Sequence, residues 1–206
     1  MNKWWPVLWC ALIASIFSTL GMLNFGQAAP VLKEGESIDL LIGPEYSKKV
    51  LPLIKSAKKK VWVGVYVASY YEDRSFGIQN QFMKALVDAY KKGVDVKVVL
   101  DESLDWDSTK NGYSDKRSTK NDAVFNYLKK HGVPVLFDST EQTMHGKFVI
   151  VDDQWVVLGS TNWTYSALSK NVEISTITNN EQINREMEDF FEILWKQSEK
   201  GQKVSF

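Results

Sequence analysis

Thr143-Met-His145-Gly-Lys147-Phe-Val-Ile-Val-Asp152-Asp-Gln154-Trp-Val-Val-Leu158-Gly-Ser160-Thr-Asn162 contains the two arms of a hairpin. Lys147 to Val151 and Trp155 to Leu158 are β-branched and aromatic runs. Asp152-Asp153-Gln154 between them supplies turn chemistry. Downstream, Val172 to Thr178 alternates like a half-buried strand, and a helix is predicted over 181–198, with Ile183, Met187, Phe190, Phe191, Leu194 and Trp195 on one face. Upstream, strands are predicted over 37–42, 61–67, 94–100 and 133–137. Helices are predicted between them, from about Glu45 (Val50, Leu53, Ile54, Ala57), over 78–89 and over 120–131. Lys58-Lys59-Lys60 closes the first helix, where cations complement the dipole. Strands that alternate with helices and then gather into a hairpin predict an α/β domain. Its sheet is mixed and central, with helices on both faces. No segment is duplicated.

Within the hairpin, His145 and Lys147 are two apart, so their side chains share one face, while Phe148 and Ile150 share the other. An imidazole beside an ammonium makes a poor metal site, because lysine stays protonated. It suits an anion with a nucleophile or proton carrier beside it. Ser160 and Asn162 are also two apart and offer hydroxyl and amide donors. Glu173 offers a carboxylate that can hold an imidazole Nδ1–H. Taken singly, Gly159-Ser160 also suits an ordinary turn and Glu173 an ordinary surface carboxylate.

His145-x-Lys147-x4-Asp152-x6-Gly159-Ser160-x-Asn162, with Glu173 eleven residues later, resembles the HKD signature of the phospholipase D superfamily. The resemblance covers residues 37–198. The single motif and small size are most similar to bacterial Nuc-type endonucleases and to mitochondrial cardiolipin hydrolases. It implies a phospholipase D/nuclease-like fold and a metal-independent phosphodiesterase without cofactor. His145 would be the nucleophile, forming a phosphohistidine. Lys147, Ser160 and Asn162 would bind phosphate oxygens, Glu173 would orient His145, and Asp152 would be structural. The expected substrate is DNA or RNA, with hydrolysis of phospholipid head groups as the alternative within the class. A non-catalytic binding or assembly module is the alternative outside it.

The leaving oxygen of a phosphodiester also needs a proton, and a second imidazole is its natural donor. His131 ends a predicted helix beside Gly132, where a cation complements the dipole. A second His145 from another subunit is therefore expected, in a homodimer with one shared site.

Composition sets the remaining bounds. Twenty-five basic and twenty-five acidic residues cancel, which argues against DNA binding by charge alone. One cysteine, Cys10, excludes a disulfide framework and a cysteine zinc site. After Lys3 there is no charge until Lys33, and residues 4–25 are predominantly apolar. Small residues at 26–30 suit cleavage after Ala28 or Ala29, which makes 1–29 a signal peptide; alternatively, residues 4–25 are a retained membrane anchor. Either reading exports the catalytic domain, 30–206, to the periplasm or beyond. Residues 102–119 have no apolar period. With Trp106 and Tyr113 they are expected to border the cleft, next to Asp101 at a strand end.

Overall fold

The computed structural model describes residues 32–102 and 120–205, which fall within one compact unit. The leader with Cys10, and the 103–119 segment with Trp106 and Tyr113, lie outside the described residues. Among those described, no helix is long and apolar enough to cross a membrane.

In chain order the elements are β1 (Ile38–Ile42), α1 (Glu45–Ser56), β2 (Lys60–Val65), α2 (Ile78–Lys91), β3 (Asp95–Leu100), α3 (Asp122–Lys130) and β4 (Val135–Phe137). They continue with β5 (Lys147–Val151), β6 (Trp155–Gly159), α4 (Tyr165–Ser169), β7 (Ile174–Thr178) and α5 (Glu181–Glu199). The strands form one sheet in the order β1-β7-β6-β5-β2-β3-β4. β2, β3 and β4 are parallel; β5, β6, β7 and β1 extend the sheet antiparallel. This is the mixed α/β architecture expected from the sequence.

Each strand's alternation divides the apolar residues between two cores. Val61, Val63, Val65, Val96, Val98, Val149 and Val151 face Val50, Ile54, Phe82 and Leu86 of α1 and α2. Trp62, Val99, Phe148, Ile150 and Val156 face Phe191 and Leu194 of α5. Trp62 stacks on Phe191 with ring centroids 4.9 Å apart. Gly64 pairs with Phe148 across β2 and β5, and a Cβ there would lie 2.4 Å from the Phe148 ring. The missing side chain is the space the ring occupies.

The elements depart from the sequence reading mainly at their ends. β2 stops at Val65: Tyr66 N–H still donates to Gly146 O, but Val67 N–H turns to Asn162 Oδ1. β4 starts after Pro134, which lacks an N–H for the ladder. β7 starts at Ile174, two residues later than expected. The five-residue α4 was not anticipated; Thr164 caps it by accepting from Ala167 N–H.

Asp152 and Asp153 have φ of 57° and 55°, and Gln154 N–H donates to Val151 O, closing a tight turn with two left-handed central residues. The Asp152 carboxylate accepts from the backbone N–H groups of Lys58, Lys59 and Lys60 at 2.7–3.1 Å. The hairpin tip is thereby fastened to the α1–β2 junction. The three lysines contribute their backbone as well as their charge, and Lys60 Nζ also pairs with Asp153 and Glu188. Asp152→Ala is expected to cost about 2–4 kcal/mol of stability, because several N–H groups lose a charged acceptor. A urea titration checks this, with the activity of the folded fraction retained.

Candidate active site

His145 lies just before β5, beside the C-terminal end of β2, since Lys147 pairs with Val65. Its imidazole is solvent-exposed and packs against Tyr66, with ring centroids 4.4 Å apart. Lys147, the first residue of β5, is buried. Its Nζ is 3.2 Å from His145 Nδ1, 2.5 Å from His145 O and 4.8 Å from the centre of the Tyr66 ring. Burial pulls the Lys147 ammonium below the usual lysine range, while the charges of Glu173 and Asp101 oppose the shift.

On the neighbouring strands, Ser160 Oγ donates to Glu173 Oε2 at 2.5 Å and accepts from Ile174 N–H at 3.0 Å. Asn171 Nδ2 donates to Glu173 Oε1. Glu173 is thus held by Ser160 and Asn171, whereas His145 Nδ1 faces Lys147. Within one chain the hydroxyl of Ser160 positions the carboxylate, and its proton is committed there. Asn162 Oδ1 accepts from Val67 N–H at 3.1 Å, so its carbonyl end ties the 66–67 segment to the motif while Nδ2 remains a donor. Gly159 is required by close approach. A Cβ there would lie 2.3 Å from Ser175 Oγ and 2.4 Å from Ser175 Cα.

A buried polar network beneath the histidine loop was not read from the sequence. Asn121 Oδ1 accepts from Ala68 N–H at 2.8 Å, and its Nδ2 donates to Tyr66 O and Asp101 O. Asp101 and Asp138 both accept from Met144 N–H, at 2.8 and 3.1 Å, and Asp138 also accepts from Glu102 N–H. Two carboxylates therefore fix the residue next to His145. The available signal was positional: Asp101 and Asp138 each directly follow a parallel strand, β3 and β4.

Burial, reinforced by the charge of Asp101, pushes the Asp138 carboxyl up to about 7, against its backbone hydrogen bonds. A carboxyl raised in the folded state contributes stability that is full below its unfolded value near 4 and lost as pH rises through about 7. Asp138→Asn removes this dependence. Melting temperatures between pH 4 and 8 should fall more steeply for the native protein than for the variant.

His131 ends α3 at the far end of the parallel strands from His145. Its Nδ1 lies 2.8 Å from Tyr127 O, and its ring packs on Tyr127. Among the described residues no group of three or more His, Cys, Asp or Glu is placed to hold a metal ion.

The family model described as "Cardiolipin synthase, PLD-like domain" matches residues 50–195, a span that holds every one of these site residues. The chain belongs to the phospholipase D superfamily. This superfamily member is 30% identical to cardiolipin synthase B of Escherichia coli K12 over 109 residues, 53% of the chain but 24% of that protein. It is 32% identical to the mitochondrial cardiolipin hydrolase of Homo sapiens over 117 residues, 57% of the chain and 41% of that protein. The chain thus spans less than half of these curated relatives. Among solved structures, Nuc from Salmonella typhimurium, described as a phospholipase D family member, superposes with a TM-score of 0.62 at 30% identity. The match covers 79% of this chain and 95% of that one. Members of this superfamily are phosphodiester hydrolases and transferases.

Proposed function

We propose that the protein is a metal-independent phosphodiesterase that hydrolyses DNA or RNA through a phosphohistidine on His145. The observation that carries this reading is the exposed His145 imidazole set against the buried Lys147 ammonium at the start of β5. His145 Nε2 attacks phosphorus, the P–O bond to the leaving group breaks, and that oxygen takes a proton from a second imidazole. Water then attacks the phosphohistidine, giving up its proton to the imidazole that acted as acid. Lys147 and Asn162 Nδ2 neutralise and hold the non-bridging oxygens.

The chain has two histidines, and His131 is held at the opposite end of the strands. The second imidazole therefore belongs to a second copy of the chain, and we place the shared site between two facing motifs. The same arrangement gives Glu173 an imidazole to orient, that of the second copy, since its own His145 Nδ1 faces Lys147.

The second reading, hydrolysis of a phospholipid head group, is favoured by the cardiolipin-related names of the curated relatives. The nucleic-acid reading draws on similarity to nearly the whole of Nuc and on an imidazole open to solvent. One panel separates them: single-stranded DNA, duplex DNA, RNA, phosphatidylcholine and cardiolipin, each with native protein and His145→Ala in excess EDTA. Nucleic-acid cleavage that persists in EDTA and vanishes in the variant is expected, because Lys147 supplies the charge a divalent ion would bring. Activity restored only by added Mg²⁺, or confined to lipid, contradicts the proposal.

A further inference from the structure

The segment that carries Tyr66 past His145 continues into a loop with no part in the chemistry above. Ser69 N–H donates to Trp163 O, and the chain then turns through residues 71–77 before α2. With Tyr165 this loop walls a cavity of about 410 Å³, with Asp73, Arg74 and Phe76 also lining it together with Gln79. That volume lies in the range of small-ligand sites. Tyr165 is three residues beyond Asn162, a span of at most about 11 Å along the chain. One wall of the cavity is therefore continuous along the chain with the motif that carries Asn162.

The loop is held in place. Asn80, which is buried, accepts from Tyr71 N–H and donates to Tyr71 O and Arg74 O at 2.6 and 2.9 Å. Gly77 N–H donates to Arg74 O, and Gln81 Nε2 to Phe76 O. On this fixed frame Phe76 is 92% exposed, and Tyr165 is 46% exposed. The Arg74 guanidinium lies over the Tyr71 ring at 5.1 Å. The Phe76 ring is thus presented to water from a braced loop.

Gln79 adds a second observation. It is 1% exposed, and its Oε1 has no hydrogen-bond partner. A Cβ on Gly77 would lie 2.6 Å from its Nε2, so the glycine leaves room for this amide. A buried acceptor without a partner is costly. Aromatic faces and a guanidinium match a nucleobase with its phosphate. The polar Gln79 amide and the charged rim of Asp73 and Arg74 suit an acyl chain poorly.

We propose that this cavity is a nucleotide subsite, holding the base of a unit neighbouring the scissile phosphodiester in single-stranded nucleic acid; it rests on the nuclease reading above. Phe76 and Tyr165 offer stacking faces, and Arg74 meets the phosphate of that unit. Because stacking tolerates any base, the subsite adds affinity for the strand without sequence preference.

The test compares Phe76→Ala, Tyr165→Ala and native protein on a short single-stranded oligonucleotide and on bis(p-nitrophenyl) phosphate, which has no neighbouring nucleotide. The expected result is a loss of about 5- to 150-fold in kcat/KM on the oligonucleotide for each ring, with the small diester unchanged. Unchanged oligonucleotide cleavage in both variants overturns the subsite and leaves the nuclease reading standing. Equal losses on both substrates overturn it too, by showing damage to the catalytic centre. If native protein cleaves the small diester but no oligonucleotide, the nuclease reading fails and the subsite with it. Loss of phosphatidylcholine vesicle hydrolysis alone, with the oligonucleotide unaffected, assigns the cavity to lipid and overturns the proposal.

Discussion

His145→Asn leaves a folded protein whose turnover is lowered by about 10⁴-fold or more. The imidazole is exposed and touches Tyr66 and Lys147, so removing it costs little stability. On the proposed mechanism its loss eliminates the nucleophile, and in a shared site the proton donor as well. Far-ultraviolet circular dichroism and a melting curve matching the native protein, beside a rate near background, would establish that the loss is chemical. A residual rate within tenfold of native would show that the nucleophile lies elsewhere. Lys147→Met is the informative contrast. It keeps the imidazole and a buried apolar stem but removes the ammonium beside it. A smaller loss, about 10²–10³-fold, is expected from one missing charge on the phosphate oxygens.

A mixed dimer of one native chain and one His145→Asn chain loses nearly all activity, not half. Each shared site would retain one imidazole, which can attack or donate a proton but cannot do both in one displacement. Joining a His145→Asn chain to a Lys147→Met chain fails as well, since no complete site is rebuilt. Differently tagged chains, co-expressed and purified as the mixed species, give the rate directly. Half the native rate would mean that each chain works alone, which returns the role of acid to a group within the same chain.

Much of this arrangement is readable in the sequence where periodicity or turn chemistry is strong. The β5–β6 hairpin is written in two apolar runs around Asp152-Asp153-Gln154, and α5 in a long stripe from Ile183 to Trp195. The motif spacing brings out His145, Lys147, Gly159 and Asn162. Its structural aspartate, Asp152, is explained by the three N–H groups it accepts. What escaped is whatever depends on strand order. Asp138 and Asn121 are isolated polar residues far along the chain from His145. They meet its loop because β3 lies beside β2 in the sheet and β4 beside β3. Tyr66 reads as one more strand residue until β2 ends two residues early and leaves its ring against the imidazole. The resemblance gives Ser160 to the phosphate and Glu173 to His145; within one chain the Ser160 hydroxyl donates to Glu173, which Asn171 also holds. α4 is too short for a helical period to register.

The stereochemical course at phosphorus tests the central claim most directly, because it reports a covalent intermediate however short its lifetime. A phosphorothioate diester of defined configuration is hydrolysed in heavy-oxygen water with EDTA present, and the configuration of the product is determined. Two successive in-line displacements, through His145 and then through water, predict net retention. Net inversion would mean that water attacks the diester in a single step, and would contradict His145 as the nucleophile.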